Sequence, residues 1–169
     1  MKSVLISIQP KWCEKIAARW KTLELRKSKP NIPVPFKCYI YQTRHRWAFK
    51  ILRSLKLYDQ ANKLESGAGK VIGEFVCDHI LGHCEMANAD IAEQQSYVRR
   101  KDIYRYSGGK EVFGWHISDL VIYDEPKPLG PFIRCPYPWD CSACDYFDGL
   151  DMVCNKPKRP PQSWCYVEG

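Results

Sequence analysis

The residues best suited to chemistry stand together in Lys21-Thr22-Leu23-Glu24-Leu25-Arg26. As a β-strand, whose side chains alternate between faces, this run turns Leu23 and Leu25 to one side and Thr22, Glu24 and Arg26 to the other. Lys21 stands at the strand entrance. A carboxylate between an ammonium and a guanidinium can accept from an amine while the cations hold phosphate oxygens. The same row can also be a solvated face, or Glu24 and Arg26 can neutralise each other.

The surroundings are basic. Lys11, Lys15 and Arg19 recur at helical spacing ahead of the strand, and Lys27 and Lys29 follow it. Residues 1–60 hold fourteen Lys or Arg against Glu14, Glu24 and Asp59, whereas the rest of the chain is slightly acidic; the net charge is +7. A basic half on a near-neutral body points to a polyanion, RNA or another single-stranded nucleic acid first. Solubility alone is the plainer account of the same charge. Trp12 and Tyr41 are candidate planes for stacking a base, and His116 a candidate proton carrier or base-edge reader.

The elements that must hold these groups can be read in order. Val4 to Ile8 alternates as a first strand, and Pro10 suits the first turn of a helix with Trp12, Ile16 and Ala17 on one stripe. The key strand follows, then a loop with prolines at 30, 33 and 35. Phe36–Thr43 reads as a central strand, Trp47–Lys63 as a helix, Val71–Leu81 as one long strand and Ala87–Val98 as a short helix. Arg99-Arg100-Lys101 would complement the C-terminal end of that helix. Val112–Tyr123 reads as a further strand, and Trp164–Val167 as a closing one. Gly67-Ala68-Gly69-Lys70 lacks the other positions of a phosphate loop and reads as a turn. The expected class is α+β, a small mixed β-barrel of five or six strands flanked by about three helices.

With 169 residues, 45% hydrophobic and 27% charged, the chain fits a single domain. The apolar start is far shorter than a signal-peptide core or a membrane span, so a cytoplasmic protein with no membrane partner is expected. Nine cysteines without a secretory signal favour thiols or metal ligands over disulfides. Cys141-Ser142-Ala143-Cys144 is a C-x2-C knuckle with Cys154 beyond it and Cys135 and Cys165 flanking. Four of these five would make a closed, structural zinc site, stapling a Cys- and Pro-rich extension over residues 131–163. A loop carrying unliganded thiols is the alternative. Cys13, Cys38 and Cys77 read as small core residues.

The path from Ile8-Gln9-Pro10-Lys11-Trp12 through a helix to Lys21-Thr22-Leu23-Glu24-Leu25-Arg26 resembles the signature of the ASCH family, relatives of the PUA domain. That signature runs glycine, any residue, lysine, two residues, glutamate, any residue, arginine. Lys21, Glu24 and Arg26 match it, and Arg19 replaces the glycine. Phe36–Tyr41, Gly73-Glu74-Phe75, Gly114–Leu120 and Pro160–Val167 are similar to segments of phage-borne and bacterial members. The resemblance implies a PUA-like barrel with a cleft beside the signature strand, binding RNA or a nucleotide through Lys11, Trp12, Lys21, Glu24, Arg26, Lys27, Lys29, Tyr41 and His116.

One branch of that superfamily hydrolyses N4-acetylcytidine with a lysine, a threonine and a glutamate. Lys21 and Glu74 would correspond to two of these. Glu24 occupies the threonine position, so Thr22 would have to supply the hydroxyl. A ribonuclease using Lys21, Glu24 and Arg26 is a further hydrolase reading, and a zinc-stapled protein-interaction module is the third alternative.

Overall fold

The computed structural model describes residues 2–44, 53–132 and 160–168. In chain order they form β1 (Lys2–Ile8), α1 (Pro10–Ala17), β2 (Leu23–Arg26), β3 (Phe36–Gln42), α2 (Tyr58–Gly67), β4 (Val71–Cys77), β5 (Ile80–Leu81), α3 (Ala89–Ser96), α4 (Arg100–Ser107), β6 (Phe113–His116), β7 (Ser118–Lys127), a 3-10 turn (Gly130–Phe132) and β8 (Trp164–Glu168).

The strands divide into a five-stranded sheet, ordered β7-β4-β3-β1-β8, and a three-stranded sheet, β2-β6-β5. The α+β class holds, with more strands than expected and, among the described residues, two sheets instead of one closed barrel. β1 and β3 run parallel, Val4 opposite Cys38 and Ile8 opposite Gln42, which requires the crossover that α1 and β2 supply. The remaining pairings are antiparallel.

Alternation along β1 explains its interior position, between β3 and β8. Val4, Ile6 and Ile8 face a core shared with Ile16 of α1, Phe36, Phe75 and Trp115. Leu5 faces the other way, into a smaller cluster with Tyr39, Tyr41, Val71 and Val167. A strand covered on both faces is mostly apolar, as Val4, Leu5, Ile6 and Ile8 are, and its buried Ser7 is satisfied by a hydrogen bond. A third cluster joins Leu23 and Leu25 of β2 to Ala92 of α3, Ile103 of α4 and Val112. Thus β2 turns its leucines to a core, as its alternation predicts. Cys13, Cys38 and Cys77 are core residues, and burial raises the Cys77 thiol to about 12 and the Cys84 thiol to about 11. At neutral pH these are apolar fillers, not nucleophiles.

Several boundaries differ from the pattern-based reading. The expected strand 71–81 is two, β4 and β5, in different sheets, separated by Asp78 and His79. The expected strand 112–123 likewise divides at Ile117 into β6 and β7. The helix expected over 47–63 is interrupted in its described part, where Lys56 adopts φ 58° before α2 begins. Arg100 and Lys101 do not close the preceding helix; they open α4. Gly73 lies where β4 is crowded by β7: a Cβ there would stand 2.4 Å from the Val121 carbonyl oxygen, so the close approach requires glycine. Among the described residues, no helix is long and apolar enough to cross a membrane.

Candidate functional site

The signature strand is delivered to its place by the end of α1. Arg19 adopts φ 59°, the left-handed conformation that favours glycine, and its N–H donates to Ile16 O at 2.8 Å. This is the position the resemblance assigns to glycine, and here an arginine takes the same backbone conformation. Its side chain donates from Nη2 to Leu120 O at 3.2 Å, which offsets part of a cost of about 1–2 kcal/mol. The chain then reverses, and Thr22 N–H donates to Gln95 O at 2.9 Å, fixing the start of β2 against α3.

Lys21 is turned inward, with 2% of its side chain exposed. Its ammonium donates to Leu23 O at 2.8 Å and Ser96 O at 3.0 Å, and Glu24 Oε2 lies 3.3 Å away. Glu24 is 8% exposed and Arg26 11%, and Arg26 Nη2 stands 3.0 Å from Glu24 Oε1. The same Nη2 donates to Ser7 O at 2.7 Å, tying β2 to β1 across the gap between sheets. Burial pushes the Lys21 pKa down; Glu24 opposes that shift, and Arg26 adds to it.

Beside this linked trio lies a hollow of about 400 Å³, within the range of roughly 300–1,000 Å³ of small-ligand pockets. Lys11, Trp12, Lys21, Glu24, Arg26 and Tyr106 are among its lining residues. Trp12 has Lys11 Nζ 4.6 Å and Lys21 Nζ 5.2 Å from its ring centroid. Tyr106 carries Lys27 Nζ at 4.9 Å. Two buried polar atoms of the lining have no hydrogen-bond partner among the described residues, Glu24 Oε2 and Arg26 Nε. Arg26 Nε is thereby a buried donor without an acceptor, and Glu24 Oε2 a buried acceptor whose contact is the 3.3 Å ion pair with Lys21, both at the wall of one cavity.

The other sequence-based candidates lie elsewhere or at the edge. Lys29 stands over Phe113, 5.4 Å from the ring centroid, on the rim of a separate proline-lined hollow. Thr22 does not line the main cavity, and its backbone carbonyl accepts from Ile117 N–H. Tyr41 is buried in the cluster on the far face of the five-stranded sheet, so it offers no stacking plane in the cleft. His116 pairs with Asp78, also outside the lining. Cys135, Cys141, Cys144 and Cys154 lie outside the described residues, while Cys165 of β8 packs against the Leu5 cluster.

Glu74 is the clearest displacement. It sits in β4 opposite Tyr39, its Oε1 2.8 Å from Lys37 Nζ and its Oε2 accepting from the Tyr123 hydroxyl at 2.5 Å. It does not line the cavity. Burial raises the Glu74 pKa, but the hydrogen bonds from Lys37 and Tyr123 outweigh this and hold it below 4.5. The folded state therefore binds the proton more weakly than the unfolded chain. The carboxylate contributes stability above 4.5, and that contribution is lost as pH falls through the depressed folded value. Glu74→Gln is expected to flatten the acid limb of a stability-versus-pH curve measured by urea denaturation; an unchanged acid limb would contradict this pairing.

Sequence reasoning missed the opposite wall. Val98, Ile103 and Tyr106 enter the lining through α4 and the turn before it, and Gln162 and Ser7 complete it. Ser7 Oγ donates to Pro161 O at 2.6 Å, which seats the returning segment on β1. Helical spacing from Ile103 to Tyr106 and Ser107, ahead of Gly108 at φ 57°, was the available signal.

No family model matches the chain, and no curated protein matches it. Solved structures do. ZmASCH from Zymomonas mobilis aligns at a TM-score of 0.62 and 16% identity, over 98% of this chain and 87% of that one. A tyrosine-to-phenylalanine variant of ZmASCH aligns at 0.63 and 16%, over 99% and 91%. A serine-to-alanine variant gives 0.62 and 16%, over 98% and 88%. The fold is that of an ASCH domain.

Proposed function

We propose that this chain is an RNA- or nucleotide-binding module whose guest occupies the hollow beside β2. The observation that carries the reading is a pair of buried atoms with unused hydrogen-bonding capacity, Arg26 Nε and Glu24 Oε2, the latter held by its ion pair with Lys21 alone, on the wall of a cavity with three cations and one carboxylate in its lining. An exocyclic amine such as that of cytosine donates to Glu24 Oε2, while a neighbouring ring nitrogen or carbonyl accepts from Arg26 Nε. Trp12 supplies the stacking plane, and Lys11 of the lining and Lys27, which stands over the lining residue Tyr106, take phosphate. Lys21, with its ammonium already facing two carbonyls and Glu24, sets the charge and position of the carboxylate.

Cytidine monophosphate is expected to bind tighter than uridine monophosphate by about tenfold or more, because a charged hydrogen bond is lost with the amine. Equal affinities in a calorimetric titration would contradict the proposed role of Glu24. The hydrolase reading draws on Lys21, whose lowered pKa makes a neutral amine more accessible. Acetate released from N4-acetylcytidine would favour it, and binding without turnover favours the module. A structural zinc on four of Cys135, Cys141, Cys144, Cys154 and Cys165 belongs to the same proposal. Elemental analysis after dialysis is expected to read at least one zinc per chain, retained when His79 is replaced by Ala.

A further inference from the structure

Away from the cleft, Asp78, His79 and His116 bring a carboxylate and two imidazoles together, with ligand atoms all within 4.8 Å of one another. Topology puts them there. Asp78 and His79 link β4 to β5, where the chain passes from the five-stranded to the three-stranded sheet. His116 ends β6, one residue before β7 returns the chain to the larger sheet. The two crossings lie side by side, with His116 N–H donating to His79 O at 3.1 Å. Both Nδ1 atoms then converge on one oxygen, Asp78 Oδ1, at 3.0 Å from His79 and 2.7 Å from His116. The rings stack at 4.3 Å with 22° between their planes.

We propose that this seam binds a divalent transition-metal ion, zinc being the best fit, through Asp78 Oδ1 and the Nδ1 atoms of His79 and His116. Bonds of about 2.0–2.2 Å at tetrahedral angles separate neighbouring ligand atoms by about 3.3 Å. The separations from Asp78 Oδ1, 2.7 and 3.0 Å, are shorter than that, and all ligand atoms lie within 4.8 Å of one another, so the carboxylate must move outward from the two rings to admit the ion. His79 and Asp78 are exposed, 57% and 43%, and free to make that shift. Each neutral imidazole moves its proton from Nδ1 to Nε2 through solvent and presents the Nδ1 lone pair. With three protein ligands, the fourth position goes to water. Imidazole nitrogen selects zinc over magnesium or calcium, which prefer oxygen. A bound ion would clamp the two inter-sheet crossings together and stabilise the folded chain by mass action.

The test is a zinc chloride titration of the full chain followed through the imidazole resonances of its four histidines. His79 and His116 signals are expected to shift together and saturate, with no response to magnesium chloride. His79→Ala and Asp78→Asn are each expected to weaken the zinc dependence of the His116 signal by about tenfold or more. The imidazole readout separates this site from any zinc held by thiolates. Zinc taken up with no change at His79 and His116 would overturn the proposal. So would shifts confined to His83, which faces Glu85 and Glu111 instead. A His116 response unaltered in both variants would overturn it equally.

Discussion

Glu24→Gln is expected to destabilise the fold by about 3–5 kcal/mol, because it leaves two buried cations without their shared counter-charge. Lys21 and Arg26 are 2% and 11% exposed, and Glu24 carries one carboxylate oxygen toward each. Their other partners are neutral carbonyls: Leu23 and Ser96 for Lys21, Ser7 for Arg26. Those dipoles satisfy N–H groups but do not cancel charge. The midpoint of urea unfolding should fall with little change in its slope. Adding Lys21→Met to Glu24→Gln should recover part of the loss, since one buried cation is then removed with its partner. Additive losses in the double variant would mean that the two side chains do not interact.

Lys21→Met carries the largest expected effect on binding, a loss of about tenfold to a hundredfold for a cytidine nucleotide. The substitution keeps the length of the side chain and removes the ammonium from the wall of the hollow. Glu24 then depends on Arg26 alone for its position. Lys37→Met is the matched control, because Lys37 pairs with Glu74 on the five-stranded sheet and does not line the cavity. It should leave affinity unchanged. The pH dependence separates the two roles of Lys21 further. Burial lowers its folded pKa below 10.5, so between that lowered value and 10.5 the unfolded chain binds more protons than the folded one. The wild type should therefore gain stability relative to Lys21→Met as pH rises through that window. A constant difference across it would contradict a desolvated ammonium.

Much of this site was legible because β2 is a short, regular strand. Period two alone predicts that Leu23 and Leu25 share a core, and Lys21, Glu24 and Arg26 do come together at one cavity. The alternation allowed the Glu24–Arg26 pair but did not reveal that Lys21 would be buried against the same carboxylate. That depends on how deeply α3 covers the strand, a matter of tertiary packing. Helix α4 escaped notice because just Ile103 and Ser107 of its eight residues are buried, too thin a stripe to stand out among charges. The crossings at Asp78-His79 and Ile117 were invisible for a different reason. A strand that changes sheets keeps its alternation, so periodicity reports two strands as one. Glu74 illustrates the same limit. The pattern set it on the opposite face to Phe75, but its pairing with Tyr39, Lys37 and Tyr123 follows from strand order, which no local pattern contains.

The central claim is that a guest enters the hollow between β2, α1 and α4 and meets Glu24 and Arg26 there. Backbone amide shifts of the full chain titrated with cytidine monophosphate test it directly. The account predicts perturbations concentrated in residues 7–12, 21–27 and 98–106 with Thr43 and Gln162 of the lining, their saturation shifted to higher nucleotide concentration by about tenfold or more in Lys21→Met. Perturbations centred on Lys37, Glu74 and Tyr123, or an equal response in Lys21→Met, would contradict it.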